Sequence, residues 1–229
     1  MKIAVYVNMK AGGGTKAEAA LKRLADAWKA HELTGVGGFG GEWLPCCLEP
    51  ELPEKGYIAR LEAAVKALLS ERPDLLVTIG GDGAAAYAAE VVLKTDEDVP
   101  LFGIGAGTAN IGPIVTERGD ELPDPKALEE IRVGAIEAKD ESGRHIAFGF
   151  NDLVIGNTFL GTSKEGEAKT FSAGALAASG KMREAAPVKD LFDGPSNMVL
   201  NGQSLPPLPF PAAQMIISPV EERRGFNGR

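Results

Sequence analysis

One aspartate, held between glycines, has the residue type and the setting for chemistry on a ligand. Gly80-Gly81-Asp82-Gly83 follows the apolar run Leu75 to Ile79, and such a run is typical of a strand buried on both faces. Asp82 would then lie at the carboxyl end of a central strand, where open α/β sheets bind ligands. The glycines would let a phosphate approach the backbone, and the carboxylate could act as a general base or hold a metal ion. The alternative is a tight turn in which Asp82 caps the next helix.

A second glycine-rich loop runs from Gly105 to Gly112, after another apolar stretch. Two such loops behind neighbouring strands would form a cleft lined with backbone N–H groups, which suits phosphates and ribose. The loop is not a dinucleotide fingerprint, because Asn110 stands where the third glycine belongs, and no G-x-x-x-x-G-K-[ST] loop occurs. Residues 12–16 could form a third anion-binding turn, or a plain loop before a helix with Thr15 as N-cap.

A polar pair, Asn151-Asp152, follows the stretch Phe148-Gly149-Phe150. An amide beside a carboxylate matches the donors and acceptors of ribose hydroxyls. The alternative is an Asn-Asp turn between strands. The two histidines, His31 and His145, lack metal-ligand spacing and are predicted to lie on the surface. No G-x-S-x-G motif occurs, which disfavours a serine hydrolase.

The composition is ordinary for a globular protein. The chain is 44% apolar and carries a formal net charge of −8, so nucleic acid and anionic membranes are poor default partners. No apolar run approaches the roughly 20 residues of a membrane span. The only cysteines, Cys46 and Cys47, are adjacent and are interpreted as buried or inert thiols in a reducing compartment. We therefore predict a cytoplasmic protein with a small-molecule partner and with neither nucleic acid nor membrane as partner.

Hydrophobic periodicity predicts an α/β fold with two domains. Predicted strands (3–8, 75–79, 100–104) alternate with predicted helices (16–31, 57–70, 84–94), while 45–53 is predicted to be a loop. This order argues for a Rossmann-like parallel sheet with helices on both faces. After residue 119 the sequence is strand-rich at 131–136 and 144–155, Asn201-Gly202 is a hairpin signal, and prolines in 206–211 exclude a central strand. We expect an α/β nucleotide-binding domain at 1–119 and a smaller β-rich domain at 120–229.

Taken together, the three polar elements resemble the NAD kinase / diacylglycerol kinase superfamily. That superfamily carries a GGDG motif after a central strand, a second glycine-rich loop and an Asn-acidic pair in the next region. Here they stand as residues 80–83, 105–112 and 151–152. The segment from Asn8 to Gly14 is similar to the family's first nucleotide-proximal loop. The resemblance covers residues 1–160, and the GGDG element is its most specific part.

The resemblance implies ATP-dependent phosphoryl transfer to NAD or a related nucleotide, with Mg²⁺ and with NADP as the product from NAD. It implies that Asp82 is catalytic, as a base for the acceptor hydroxyl or as a Mg²⁺-organising residue. Such a sparse set suffices because phosphoryl transfer depends mainly on positioning and charge neutralisation. A homo-oligomer is also implied. The nucleotide-binding residues would be Gly80, Gly81, Gly83, Gly107, Thr108, Asn110, Asn151 and Asp152.

Several departures from the family pattern keep alternatives open. Ala84 replaces the usual threonine after GGDG and removes a hydroxyl from the predicted phosphate-facing turn, Asp152 replaces the usual glutamate, and the T-G-S-T-A-Y segment has no clear counterpart. These features are similar to divergent branches such as the NAD-kinase-like proteins associated with acetoin catabolism. They favour a non-catalytic nucleotide-binding sensor as one alternative. A lipid kinase is the other, because the second loop partly resembles the lipid-kinase version, although the acidic charge argues against it.

Overall fold

The computed structural model describes residues 1–95, 97–107, 110, 112–117, 121–163, 167–179, 181–186, 198–207, 211 and 214–219. The chain forms two compact units, Met1–Asn151 and Asp152–Arg229, and each is described by itself. The first contains a six-stranded parallel sheet with helices, and the second contains antiparallel strand pairs. The predicted α/β fold with β-rich sequence after it is confirmed. The domain boundary after residue 119 was drawn from composition and stays a prediction.

The first unit alternates strands and helices. Its strands are β1 (Lys2–Val7), β2 (Glu32–Val36), β3 (Cys46–Leu48), β4 (Leu75–Gly80), β5 (Leu101–Gly105), β6 (Val115–Glu117), β7 (Ile136–Lys139) and β8 (His145–Gly149). Its helices are α1 (Thr15–Ala27), α2 (Tyr57–Ser70) and α3 (Asp82–Thr95). Strands β7 and β8 form a separate antiparallel hairpin.

The order of the parallel sheet places a ligand crevice beside β4. Its strands lie in the order β3-β2-β1-β4-β5-β6. The chain therefore builds outward from β1 to β3, returns to the centre at β4, and builds outward on the other side. In open α/β sheets, ligands bind at the carboxyl ends of the strands where this direction reverses. That point lies between β1 and β4, and Asp82 follows β4 after one residue, Gly81.

The central strands are buried on both faces, as their apolar runs predict. In β1, Ile3, Val5 and Val7 pack in an apolar cluster with α1. Ala4 and Tyr6 point the other way and pack in a second cluster with α2 and α3. Successive side chains of a strand point to opposite faces, so this division shows helices covering both faces of the sheet.

Short or polar elements were predicted less well. Strands β2 and β3 were not predicted, because each is short and contains glycine or cysteine. Strand β2 is stabilised by pairing with β1, and β3 is stabilised by pairing with β2. Thr15 is not an N-cap: Gly14, at φ +90°, occupies that position without a side-chain hydrogen bond. Helix α1 ends at Ala27, four residues earlier than predicted, and residues 131–135 are not strand.

The second unit is built from antiparallel pairs. Its strands are β9 (Leu153–Gly156), β10 (Thr158–Thr162), β11 (Ala168–Ser172), β12 (Met198–Leu200), β13 (Gln203–Leu205) and β14 (Gln214–Ile217), and its helix is α4 (Ala173–Ser179). The predicted Asn201-Gly202 hairpin is confirmed, since both residues have positive φ and join β12 to β13. None of the helices in the described parts of the chain is long and apolar enough to cross a membrane.

The buried tyrosine of β1 predicts a loss of stability at alkaline pH. Burial, and then a 3.3 Å hydrogen bond between the hydroxyls of Tyr6 and Tyr57, raises the pKa of Tyr6 well above its ordinary value, and burial also raises the pKa of Tyr57. Below pH 10 both states keep these protons. Above it the unfolded chain releases the Tyr6 proton while the folded chain keeps it, so the free energy of unfolding should fall by up to about 1.4 kcal/mol per pH unit. Urea unfolding between pH 8.5 and 11 measures the slope. Tyr6→Phe should make it shallower, and an unchanged slope in that variant would contradict the assignment.

Candidate active site

Three glycine-containing loops touch one another at the carboxyl edge of the sheet. They follow β1, β4 and β5. A Cβ atom on Gly12 would lie 2.5 Å from the carbonyl oxygen of Ala106, and one on Gly107 would lie 2.7 Å from Cα of Gly81. Both distances are far below any real Cβ contact, so these approaches require glycine. The loops therefore form one continuous surface, as predicted for the two loops after β4 and β5.

Gly80 and Gly81 organise this surface through their carbonyl groups. The carbonyl of Gly80 accepts the N–H of Ala106 at 2.7 Å, which ties the loops after β4 and β5 together. The carbonyl of Gly81 accepts the N–H of Ala84 at 3.1 Å and so begins α3. Gly83 differs from both, because it is exposed and a Cβ added there would meet nothing within 4 Å. It marks an open approach to the amino end of α3, where backbone amides favour anions.

Asp82 links α3 to the loop after β5. It is half-buried and is the first residue of the helix. Its Oδ1 accepts the backbone N–H of Gly112 at 2.9 Å. The carboxylate therefore contacts the loop after β5, a contact that a helix cap would not make. A hydrogen bond from backbone N–H to a carboxylate also orients the second oxygen.

Asn110 braces the loop on which it lies. Its Oδ1 accepts the N–H of Gly107 at 3.1 Å, and its Nδ2 donates to the carbonyl of Gly107 at 3.1 Å. A Cβ on Gly105 would lie 2.9 Å from its Cγ, so this glycine makes room for the side chain. The amide thus shapes the loop, and its contact with a nucleotide stays a prediction. Thr108 lies outside the described residues.

Asp82 and Asn151 line the same small depression. The depression is small and partly open to solvent, with about 200 Å³ of space that includes bulk solvent. A nucleotide placed here would extend beyond it. Asp152 is exposed and begins the second unit. Besides Asp82 and Asn151, the lining comprises Ala85, Ala86, Gly112, Pro113, Ile114, Val115 and Phe150.

Some of these lining residues were not foreseen. Phe150 is 7% exposed, and its neighbour Asn151 was the sequence signal for that segment. Ala84 also differs from expectation: its side chain is 5% exposed and packs in the apolar cluster with α2 and α3. Residue 84 therefore packs in the core beside Gly80. Alanine in place of threonine at this residue changes that packing and leaves the exposed surface of the turn unchanged.

The other candidate residues lie elsewhere. Cys46 is exposed, so of the two predicted alternatives, a buried or an inert thiol, the first is wrong for this residue. Cys47 is half-buried, and burial followed by a hydrogen bond with Glu49 raises the pKa of its thiol, which makes it less reactive. His31 and His145 are both half-buried, so each keeps part of its side chain at the surface.

The oxygen donors around the depression fit a magnesium site that depends on a bound phosphate. Among the described residues, no group of three or more His, Cys, Asp or Glu side chains could hold a metal ion. Mg²⁺ is commonly held by one or two carboxylates together with substrate phosphates. The carboxylate of Asp82 and the amide oxygen of Asn151 are ligands of this hard type, at one depression.

A comparison with protein families covers most of the first unit. The diacylglycerol kinase catalytic domain matches residues 2–140. The chain belongs to this family. The matched range contains the six-stranded sheet of the kinase domain, Asp82 and all three loops, and it confirms the superfamily resemblance. It indicates a kinase-type phosphotransferase of the diacylglycerol kinase and NAD kinase superfamily, without distinguishing a nucleotide from a lipid substrate. A comparison with curated proteins gave no match.

Proposed function

We propose that the protein transfers the terminal phosphoryl group of ATP to a hydroxyl of NAD or a related nucleotide, which yields NADP from NAD. The observation that carries this proposal is the position of Asp82. Asp82 follows β4, which borders the reversal point of the sheet, and its carboxylate contacts the loop after β5, one of three loops that touch one another. Phosphoryl transfer needs positioned reactants and neutralised charge, and backbone amides at this edge supply both for a polyphosphate.

In the proposed reaction Asp82 accepts the proton of the acceptor hydroxyl. The acceptor oxygen forms a bond to the terminal phosphorus of ATP, the bond from that phosphorus to the bridging oxygen breaks, and ADP leaves. The N–H of Gly112 holds one oxygen of the Asp82 carboxylate, which fixes its orientation. Asn151, at the same depression, would hydrogen-bond the ribose. Asp152, Asn110 and the glycines of the loops would complete nucleotide binding.

The alternative role of Asp82 is to hold Mg²⁺, together with the phosphates of ATP, in place of accepting the proton. When bound, Mg²⁺ neutralises charge on the transferring phosphoryl group. The protein itself then contributes the alignment of the Asp82 carboxylate with the acceptor hydroxyl. We also propose that the protein is a homo-oligomer and that it acts in the cytoplasm.

A lipid acceptor is the second candidate, because the second glycine-rich loop partly resembles the lipid-kinase version. The matched family is described by its diacylglycerol kinase activity. Against a lipid acceptor stands the formal net charge of −8, which disfavours approach to an anionic membrane surface. The net charge is the reason why we place a nucleotide first.

An assay with parallel acceptors tests the proposal. The full chain is incubated with ATP and Mg²⁺ and with either NAD or dioctanoylglycerol in mixed micelles, and NADP or phosphatidic acid is measured. NADP formation supports the proposal, whereas phosphorylation of the lipid alone contradicts it. If neither acceptor is phosphorylated but NAD or ATP raises the melting temperature, the nucleotide-binding sensor is favoured. No shift with any nucleotide would exclude both nucleotide functions.

Gly83→Ala tests whether a phosphate approaches the amino end of α3. The methyl group meets no atom within 4 Å, and alanine is the better helix former by up to about 1 kcal/mol, so the melting temperature should stay equal or rise. If the terminal phosphates of ATP lie against this glycine, the KM for ATP should rise about tenfold, the equivalent of about 1.4 kcal/mol. Gly174→Ala is the matched control, since Gly174 is likewise the second residue of a helix. An unchanged KM in Gly83→Ala would place the phosphates elsewhere.

A further inference from the structure

A histidine fastens the β7–β8 hairpin to α3. His145 begins β8, and its Nε2 lies 3.2 Å from Oε1 of Glu90 on α3. Its Nδ1 lies 3.3 Å from Oε1 of Glu137 on β7. The side chains of His145 and Glu90 are only 24% and 14% exposed, so water competes little for this contact. Both ring nitrogens can donate to the two carboxylates at once only when the imidazole is protonated.

Two lysines complete a charged network around His145. Nζ of Lys94 lies 2.6 Å from Oε1 of Glu90, and Nζ of Lys139 lies 2.9 Å from Oε2 of Glu137. The hydrogen bond from Lys139 holds the pKa of Glu137 below its ordinary value. Each carboxylate is shared between a lysine and the imidazole, so the network links α3, β7 and β8 as one unit.

The strand that starts at His145 leads to the depression beside Asp82. The rings of His145 and Phe148 lie 4.6 Å apart, and those of Phe148 and Phe150 lie 6.3 Å apart. Phe150 and Asn151 then line the depression together with Asp82. Helix α3 therefore carries Asp82 at its first residue. About two turns later it carries Glu90, whose carboxylate contacts the first residue of the strand that precedes Asn151.

We propose that His145 is a positioning residue that, through Glu90, holds Phe150 and Asn151 at the depression beside Asp82. That this depression receives the phosphoryl acceptor rests on the proposed function. The turn of the hairpin is itself held by hydrogen bonds, because Asp140 accepts the backbone N–H groups of Ser142 and Arg144. Release of the hairpin would displace Asn151 and leave the bond between Asp82 and Gly112 in place.

Hydrogen–deuterium exchange of the ligand-free full chain tests the fastening without any need for turnover. In His145→Gln, exchange in segment 145–151 should become about fivefold faster, the factor that corresponds to one lost hydrogen bond. Glu90→Gln should have a similar effect, and the double variant should add little, because the two residues act in one contact. His31→Gln, which changes the chain's other histidine, is the control. Unchanged exchange in both single variants, or full additivity in the double variant, would overturn the proposal.

Kinetics separate positioning from a general loss of structure. In His145→Gln the KM for NAD should rise about fivefold, with kcat changed less than about twofold. His145→Arg can donate to both carboxylates and should restore the KM. A fall in kcat at constant KM would overturn the positioning role. If the wild-type chain does not phosphorylate NAD, the proposed function fails, and the exchange result alone then decides whether His145 fastens the hairpin.

Discussion

We expect Asp82→Asn to lower kcat for phosphoryl transfer by about 10²- to 10⁴-fold, the usual contribution of a general acid–base group. Asparagine keeps an oxygen that can accept the N–H of Gly112, so the bond now seen at 2.9 Å has a counterpart in the variant. What is lost is the negative charge that accepts the proton. Steady-state kinetics measure the loss, and thermal unfolding should show a melting temperature close to that of the wild type.

Two further variants separate charge from loop position. Asp98→Asn changes an exposed carboxylate in the connection between α3 and β5, at the opposite edge of the sheet, and should alter kcat by less than about twofold. Asp82→Ala removes the bond to Gly112 as well and should lower the free energy of unfolding by about 1–3 kcal/mol. If turnover survives in Asp82→Asn, the carboxylate is not catalytic.

Gly107→Ala should both destabilise the protein and abolish most of its activity. The added methyl group would lie 2.7 Å from Cα of Gly81 and 3.0 Å from Oδ1 of Asn110. Backbone atoms cannot rotate away, so the loops after β4 and β5 must separate. Such overpacking costs about 1–3 kcal/mol, and the displacement would move Asp82 relative to the rest of the site. Urea unfolding and the NADP assay measure the two effects.

Gly83→Ala is the reference for stability at Gly107. Gly83→Ala also adds a methyl group to a glycine of the candidate site, but this methyl group would have no atom within 4 Å. A stable, fully active Gly107→Ala variant would contradict the close contact between the two loops. Equal losses of stability in both variants would show that helix propensity and backbone flexibility, and not contact, govern this region.

Long apolar runs and glycine motifs made the centre of the fold predictable. Residues 57–70 were predicted as a helix with the bounds that α2 has, and the run ending at Ile79 is β4. The sequence also indicated that Asp82 follows a buried strand, since a charge behind such a run has few structural uses. The edge strands were not predictable, because β2 and β3 owe their conformation to the neighbours with which they pair.

The contacts within the site could not be read from sequence spacing. The bond between Asp82 and Gly112 joins two loops, and nothing local to either residue indicates the other. His145 was predicted to lie on the surface, because a histidine in an alternating strand has no local signal for partners. Its two carboxylates come from α3 and β7, so only the packed structure reveals them.

The contacts of Gly12 with Ala106 and of Gly81 with Gly107 also bear on how the protein folds. Gly12 follows the first strand, whereas Ala106 follows the fifth, and the two meet only after β1, β4 and β5 have paired. Long-range contacts of this kind form late, because the loss of chain entropy precedes their gain. The crevice is therefore a product of the finished sheet: a nascent chain that has emerged only as far as α3 would hold Asp82 without the loop that orients it.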